Sequence, residues 1–128
     1  SDFILIFDED LKIRMINNAF LDFIKAKKEE ILGRTVIDTF LDIFKDDGEL
    51  LVGINQALQG KDFTQDLNFK INGDILFFNI KIMPTNFEDG RHGATIILKN
   101  ITDRRLAENA LKESEENFKT LLKKMNRK

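Results

Sequence analysis

Cysteine is absent from the 128 residues. That removes disulfide frameworks, thiol nucleophiles, cysteine-ligated zinc and any photochemistry that runs through a cysteinyl adduct. Histidine occurs once, as His92, so a multi-histidine metal site is excluded as well. Tryptophan and tyrosine are missing, and proline appears only at Pro84. No apolar run approaches the roughly 18 residues that cross a bilayer. The longest candidates, Phe3 to Phe7 and Ala94 to Leu98, suit buried strands instead. No signal peptide is visible, so a cytoplasmic location is expected. A strong charge of either sign is lacking too: the net charge is −2 and the isoelectric point about 5.5. General affinity for nucleic acid or an anionic membrane has no basis here.

What is present is a chain of globular composition, 42% hydrophobic and 33% charged, with 12 phenylalanines. This excludes disorder and is enough for one core. The apolar start immediately after Ser1 reads as a domain cut from a longer protein.

The short β-rich run Phe3 to Phe7 and the polar–apolar alternation of Lys12 to Ile16, around the turn Asp8-Glu9-Asp10, predict an opening hairpin. Asn17 or Asn18 can cap a helix carrying Ala19, Phe20, Phe23 and Ile24. Lys28 to Leu32 predicts a short helical turn stopped by Gly33. Val36, Ile37, Phe40, Leu41 and Phe44 predict a helix over Thr35 to Phe44. Lys45 to Gly48 breaks the pattern, and Glu49 to Gln59 predicts the next helix. The period then changes from 3.6 to 2. Phe63 to Ile71 and Asp74 to Met83 flank Asn72-Gly73, a strong two-residue hairpin signal. Pro84 is expected to end the second of these strands. Thr85 to Gly93 reads as a loop and Ala94 to Ile101 as the last strand. From Asp103 the chain is rich in charge and free of proline and glycine. Ala107, Leu111, Ser114, Phe118, Leu121 and Met125 recur at spacings of 4 and 3, a heptad seam. The result is an α+β fold with a mainly antiparallel sheet, helices on one face and a long exit helix.

These elements, in this order, resemble a PAS domain. The opening strands ending at Asn17, then Asn17-Asn18-Ala19-Phe20 and Glu29-Glu30-Ile31-Leu32-Gly33-Arg34, match the first half of the pattern. Phe77 to Pro84, Asp89-Gly90, Gly93 and Asn100-Ile101-Thr102-Asp103-Arg104-Arg105 match the second. Glu113 to Phe118 resembles the lead-in to a further PAS domain. Asn100 stands where the motif has Asp, and Lys25 where many members have Gly. The resemblance implies a five-stranded antiparallel sheet with helices on one face and a C-terminal signalling helix. It divides the chain into a sensor body, 1–102, and a coiled-coil linker helix, 103–128. It also implies sensing or relay within a multidomain protein, a two-component histidine kinase being the favoured parent. Alternatives are a dedicated receptor for a small apolar or aromatic ligand, and a regulatory lobe of a cyclase or other enzyme.

No catalytic residue is expected. His92 sits in a predicted turn between Arg91 and Gly93, as an ordinary loop histidine does. Asp8-Glu9-Asp10 lacks the spaced ligands and glycine of a calcium loop. Asp46 and Asp47 read as a solvated turn, and no metal site is expected. A haem-binding member would carry its proximal histidine on the helical block, and Thr35 to Gly60 has none. Haem held by histidine and cysteine-adduct flavin chemistry are therefore not expected, and an unknown apolar ligand remains open. The ordinary reading of so much phenylalanine is core filling. Phe20, Phe23, Phe40, Phe44, Phe63, Phe69, Phe77 and Phe78 are the rings that could line a cavity instead. The narrower set expected to do so is Phe40, Phe44, Ile54, Leu58, Phe78 and Ile80. Asn100, Ile101, Thr102, Asp103 and Arg104 form the expected signalling junction. In it Thr102 is the N-cap, Asp103 favours the helix dipole and Ile101 anchors by burial. The partners expected are a second copy, along the seam Ala107 to Met125, and neighbouring domains of the same chain.

Overall fold

The computed structural model describes residues 2–42 and 48–126. Strands β1 (Phe3–Asp8), β2 (Ile13–Ile16), β3 (Phe63–Ile71), β4 (Asp74–Asn86) and β5 (His92–Asn100) form one sheet in the order β2-β1-β5-β4-β3. Every neighbouring pair is antiparallel. Helices α1 (Asn18–Ile24), α2 (Lys28–Ile31), α3 (Val36–Thr39) and α4 (Gly48–Leu58) lie between β2 and β3 in the chain, and α5 (Thr102–Met125) follows β5.

Strand alternation decides which face each residue takes. Leu5 pairs with Ile96 and Phe7 with Ala94, while Ile80 pairs with Leu98 and Ile82 with Ile96. These side chains share the inner face and join Ile13, Ile16, Phe20, Val36, Leu50 and Ile54 in the core. Ile4, Ile6, Met83 and Ile97 alternate with them on the outer face and are half-buried. The β3–β4 turn has Asn72 at φ 52° and Gly73 at φ 86°, the two positive φ values that a tight hairpin turn requires. Lys25 caps α1 in the left-handed region, at φ 55° and ψ 44°. That conformation explains why a glycine would suit the position.

Several boundaries differ from the sequence-based expectation. The helix expected over Thr35 to Phe44 is interrupted after Thr39: Phe40 leaves helical geometry at φ −117° and ψ 36°, its ring stacks on Phe20 at 5.3 Å, and Leu41 and Asp42 are helical again. Phe44 and the Lys45 to Asp47 break lie outside the described residues. Pro84 does not end β4, which runs on to Asn86. β3 begins at Phe63, opposite Ile82, so Pro84 stands where β4 is an edge on that side and a missing N–H is tolerated. His92 is the first residue of β5 rather than a loop residue. It pairs with Asn86, and its Nδ1 lies 2.7 Å from the Asn86 Oδ1.

Asp8 is the one charged side chain buried among the described residues, at 1% exposure. Its carboxylate accepts from the backbone N–H groups of Asp10 (3.0 Å) and Lys12 (3.1 Å) and from Arg14 Nε at 2.9 Å. Arg14 also lies over the Phe87 ring, and Arg91 reaches Asp8, Glu9 and Asp10. Burial pushes the Asp8 pKa up. The Arg14 bond, the two backbone N–H groups and the charge of Arg91 outweigh it, so the carboxyl titrates below the usual 3.8. The network ties the β1–β2 turn to the β4–β5 loop.

Candidate functional site

A cavity of about 670 Å³ opens between the inner face of the sheet and the segment α1 to α3. Its wall follows from two periodicities. Phe3 and Leu5 on β1, Phe69 and Ile71 on β3, Phe78 and Ile80 on β4, and Ile96 and Leu98 on β5 are alternate residues turned to one face. Phe20, Phe23 and Ile24 come from one side of α1, and Val36, Thr39 and Phe40 from α3 and its end. Phenylalanine rings surround the space as a connected set. Phe3 lies 5.2 Å from Phe20, 4.8 Å from Phe23 and 6.1 Å from Phe78, centroid to centroid, and Phe69 lies 6.1 Å from Phe78.

Among the described residues, the polar ones in the lining are Lys25, Asp38, Thr39, Asp42, Lys70 and Asn72. All are exposed except Thr39, which is half-buried, and its hydroxyl donates to the Thr35 carbonyl at 2.8 Å. The polar groups therefore stand at the mouth, and the depth of the cavity is hydrocarbon.

Of the residues expected to line a cavity, Phe40, Phe78 and Ile80 are in the wall. Ile54 and Leu58 are not, because α4 lies on β3, β4 and β5 and sends only Leu50 into the space. Ile54 is 3% exposed in the core. Phe63 packs against Gly53, where an added Cβ would come within 2.6 Å of the ring. Phe3 was missed, because Phe3 to Phe7 is apolar at every position and only the pairing with β5 shows which side faces the cavity.

The second feature is the root of α5. Ile101 is buried at 4% exposure and donates its N–H to the Phe77 carbonyl at 2.8 Å. The Phe77 N–H donates to Thr102 Oγ1 at 2.9 Å. The Thr102 N–H donates to Asn100 Oδ1 at 3.0 Å, and the Thr102 hydroxyl lies 2.6 Å from the same oxygen. Thr102 is thus not the N-cap. It is the first helical residue, the cap position falls on Ile101, and the helix starts one residue earlier than expected. The hydroxyl is engaged with β4, while the Asn100 amide oxygen takes the acceptor role without the negative charge of an aspartate. Asp103 sits in the first turn, where the dipole favours it. Arg104 pairs with Glu108 at 3.7 Å. Arg105 lies over the Phe77 ring, with its centre 5.5 Å from the centroid, and approaches Asp66 at 3.8 Å.

Beyond this root α5 has no buried residue. Along the seam, Ala107, Leu111, Ser114, Phe118, Leu121 and Met125 are all exposed, and Leu106 and Leu122 add apolar surface beside it. No described helix is long and apolar enough to cross a membrane.

The model of a protein family described as the PAS fold matches residues 1–106. A sensory box sensor histidine kinase from Vibrio cholerae superposes with a TM-score of 0.64 at 19% identity, over 80% of this chain and 83% of that one. The PAS domain of a Colwellia psychrerythraea protein gives 0.60 at 22% identity, over 80% and 87%. The PAS domain of Bordetella pertussis BvgS gives 0.56 at 17% identity, over 89% and 86%. Among curated proteins none matches the chain.

Proposed function

The chain belongs to the PAS family, and from that premise we propose that it is a non-catalytic sensory and relay module of a multidomain signalling protein. The favoured parent is a cytoplasmic histidine kinase, with 1–102 as the sensor body and 103–128 as the outgoing helix. Support comes from the likeness to a sensor histidine kinase and, above all, from one dipeptide. Phe78 turns its ring into the cavity wall. Phe77, its neighbour, holds the root of α5 through both of its backbone hydrogen-bonding groups. A change in the occupancy or packing of the cavity that moves Phe78 moves the anchor of the helix through a single peptide unit. No cofactor takes part in this reading.

Thr102→Val in the intact parent tests it. The substitution keeps the shape and leaves the Phe77 N–H without its acceptor, a loss of about 1 kcal/mol. Ile54→Val, a buried change worth about 0.5–1.5 kcal/mol, is the matched control. Kinase autophosphorylation is expected to change several-fold in the first variant and little in the second. Equal effects in proportion to lost stability would make the junction a structural turn and end the proposal.

The relay needs a partner to read it, and we assign that role to a second copy packed in parallel along the α5 seam. The seam is short and carries Ser114 at a core position. Flanking positions bring Glu108 and Glu115 to one side and Ala110 and Asn117 to the other, so opposite charges do not reinforce it. A dimer dissociating at micromolar concentration is the expected state, with the half-apolar outer sheet face as a second contact. Sedimentation equilibrium should show weaker association for a chain ended after Thr102. A monomer at high concentration in both forms would eliminate the dimer.

A further inference from the structure

We infer that the cavity takes a single-ended amphiphile: a hydrocarbon or arylalkyl body with its one polar group at the mouth. This rests on the reading of the cavity as the sensing chamber and narrows what that chamber accepts. The volume, about 670 Å³, falls within the range of small-molecule sites. Its depth is made by Phe3, Leu5, Phe20, Phe78, Ile80 and Leu98. None of these carries a side-chain donor or acceptor. Backbone groups of the wall strands are engaged in the sheet, where β1, β5 and β4 are paired on both sides. Among the described residues, the one buried side-chain polar atom without a hydrogen-bond partner is Arg105 Nε, at the α5 root and not in the cavity wall. A ligand with polar atoms along its length would bury them with nothing to bond, a penalty that apolar contact does not repay.

The mouth behaves differently. Lys25 and Lys70 stand there with Asp38 and Asp42, all exposed. Among the described residues the rim carries two charges of each sign and is electrically balanced. A polar head in this position stays hydrated and is neither attracted nor repelled strongly, so its charge matters little. Discrimination falls on the second polar end, not on the first.

Isothermal calorimetry on the unmodified chain with three probes of one length tests this: decanol, decanoate and decanedioate. Decanol and decanoate are expected to bind within a few-fold of each other, and decanedioate at least about 100-fold more weakly, since its second carboxylate has no buried partner. The missing tryptophan gives a direct readout of place. Phe23→Trp, at a partly exposed lining position, introduces the chain's only indole. Its emission should shift on adding decanoate, whereas that of Phe118→Trp on α5 should not. Decanedioate binding as tightly as decanoate would overturn the ligand class and leave the cavity a receptor site. No binding by any probe would overturn the inference while leaving the junction relay to stand or fall by Thr102→Val. Binding with a shift at Phe118→Trp and none at Phe23→Trp would move the site to the helix and overturn it equally.

Discussion

Gly93→Ala should cost about 3 kcal/mol or more, at or beyond the upper end for overpacking. Gly93 is buried and lies opposite Asp8 at the end of the β1–β5 ladder. A Cβ built there would meet the Phe7 carbonyl oxygen at 2.1 Å and the Asp8 Cα at 2.9 Å, with the Phe87 ring at 2.7 Å. A side chain can turn away from such a contact, but the backbone of a central strand cannot without breaking its pairing. The same shift would disturb Asp8, whose carboxylate organises the neighbouring turn. Thermal melting followed by circular dichroism should show a midpoint lowered by about 10 °C or more. A midpoint within about 3 °C of the parent would mean that β1 and β5 separate locally at little cost.

Asp8→Asn is the second large effect, about 2 kcal/mol at neutral pH, as expected for hydrogen bonds to a charged group. Asparagine keeps the size and one acceptor oxygen but removes the charge that faces Arg14 and Arg91. The pH dependence identifies the cause. The Asp8 carboxyl titrates below 3.8 in the folded chain, so the unfolded chain takes up the proton first as pH falls. The stabilisation is complete above about pH 4 and is lost as pH drops through the depressed folded value. Urea unfolding should therefore show the full gap between parent and variant at pH 7 and a narrower one at pH 2. An unchanged gap at the two pH values would assign the loss to packing instead of charge.

Much of the fold was legible because a few residues combine local and global demands. Asn72-Gly73 needs positive φ and sits between two strands of matching period. Asn17 or Asn18 suits the helix cap by sequence; Asn17 takes it, and its Oδ1 accepts from both Phe20 N–H and Ile4 N–H, so one side chain starts α1 and holds it to β1. The alternation of Phe78 and Ile80 with Asn79 and Lys81 gave their facing correctly. What was not legible depended on tertiary contact. Nothing local says that Phe40 would leave the helix for the Phe20 ring, or that β4 would run on past Pro84 by pairing with β5 alone. Helix phase placed Ile54 and Leu58 on an apolar side without saying whether that side meets a cavity or a sheet. Thr102 was the subtlest case. A threonine before an acidic helical turn has the pattern of a cap, and only the approach of Phe77 redirects its hydroxyl.

The central position of β1 and β5 has a mechanical consequence. Phe3, at the start of β1, pairs with Leu98 near the end of β5, so the chain enters and leaves the sheet side by side at one end. Tension between the two flanks does not shear this ladder along its length. It peels the hydrogen bonds in turn, beginning beside Phe3 and Leu98 and reaching Asp8 and Gly93 last. The sheet therefore opens along its middle, from the end where the exit helix is rooted toward the end closed by the Asp8 network.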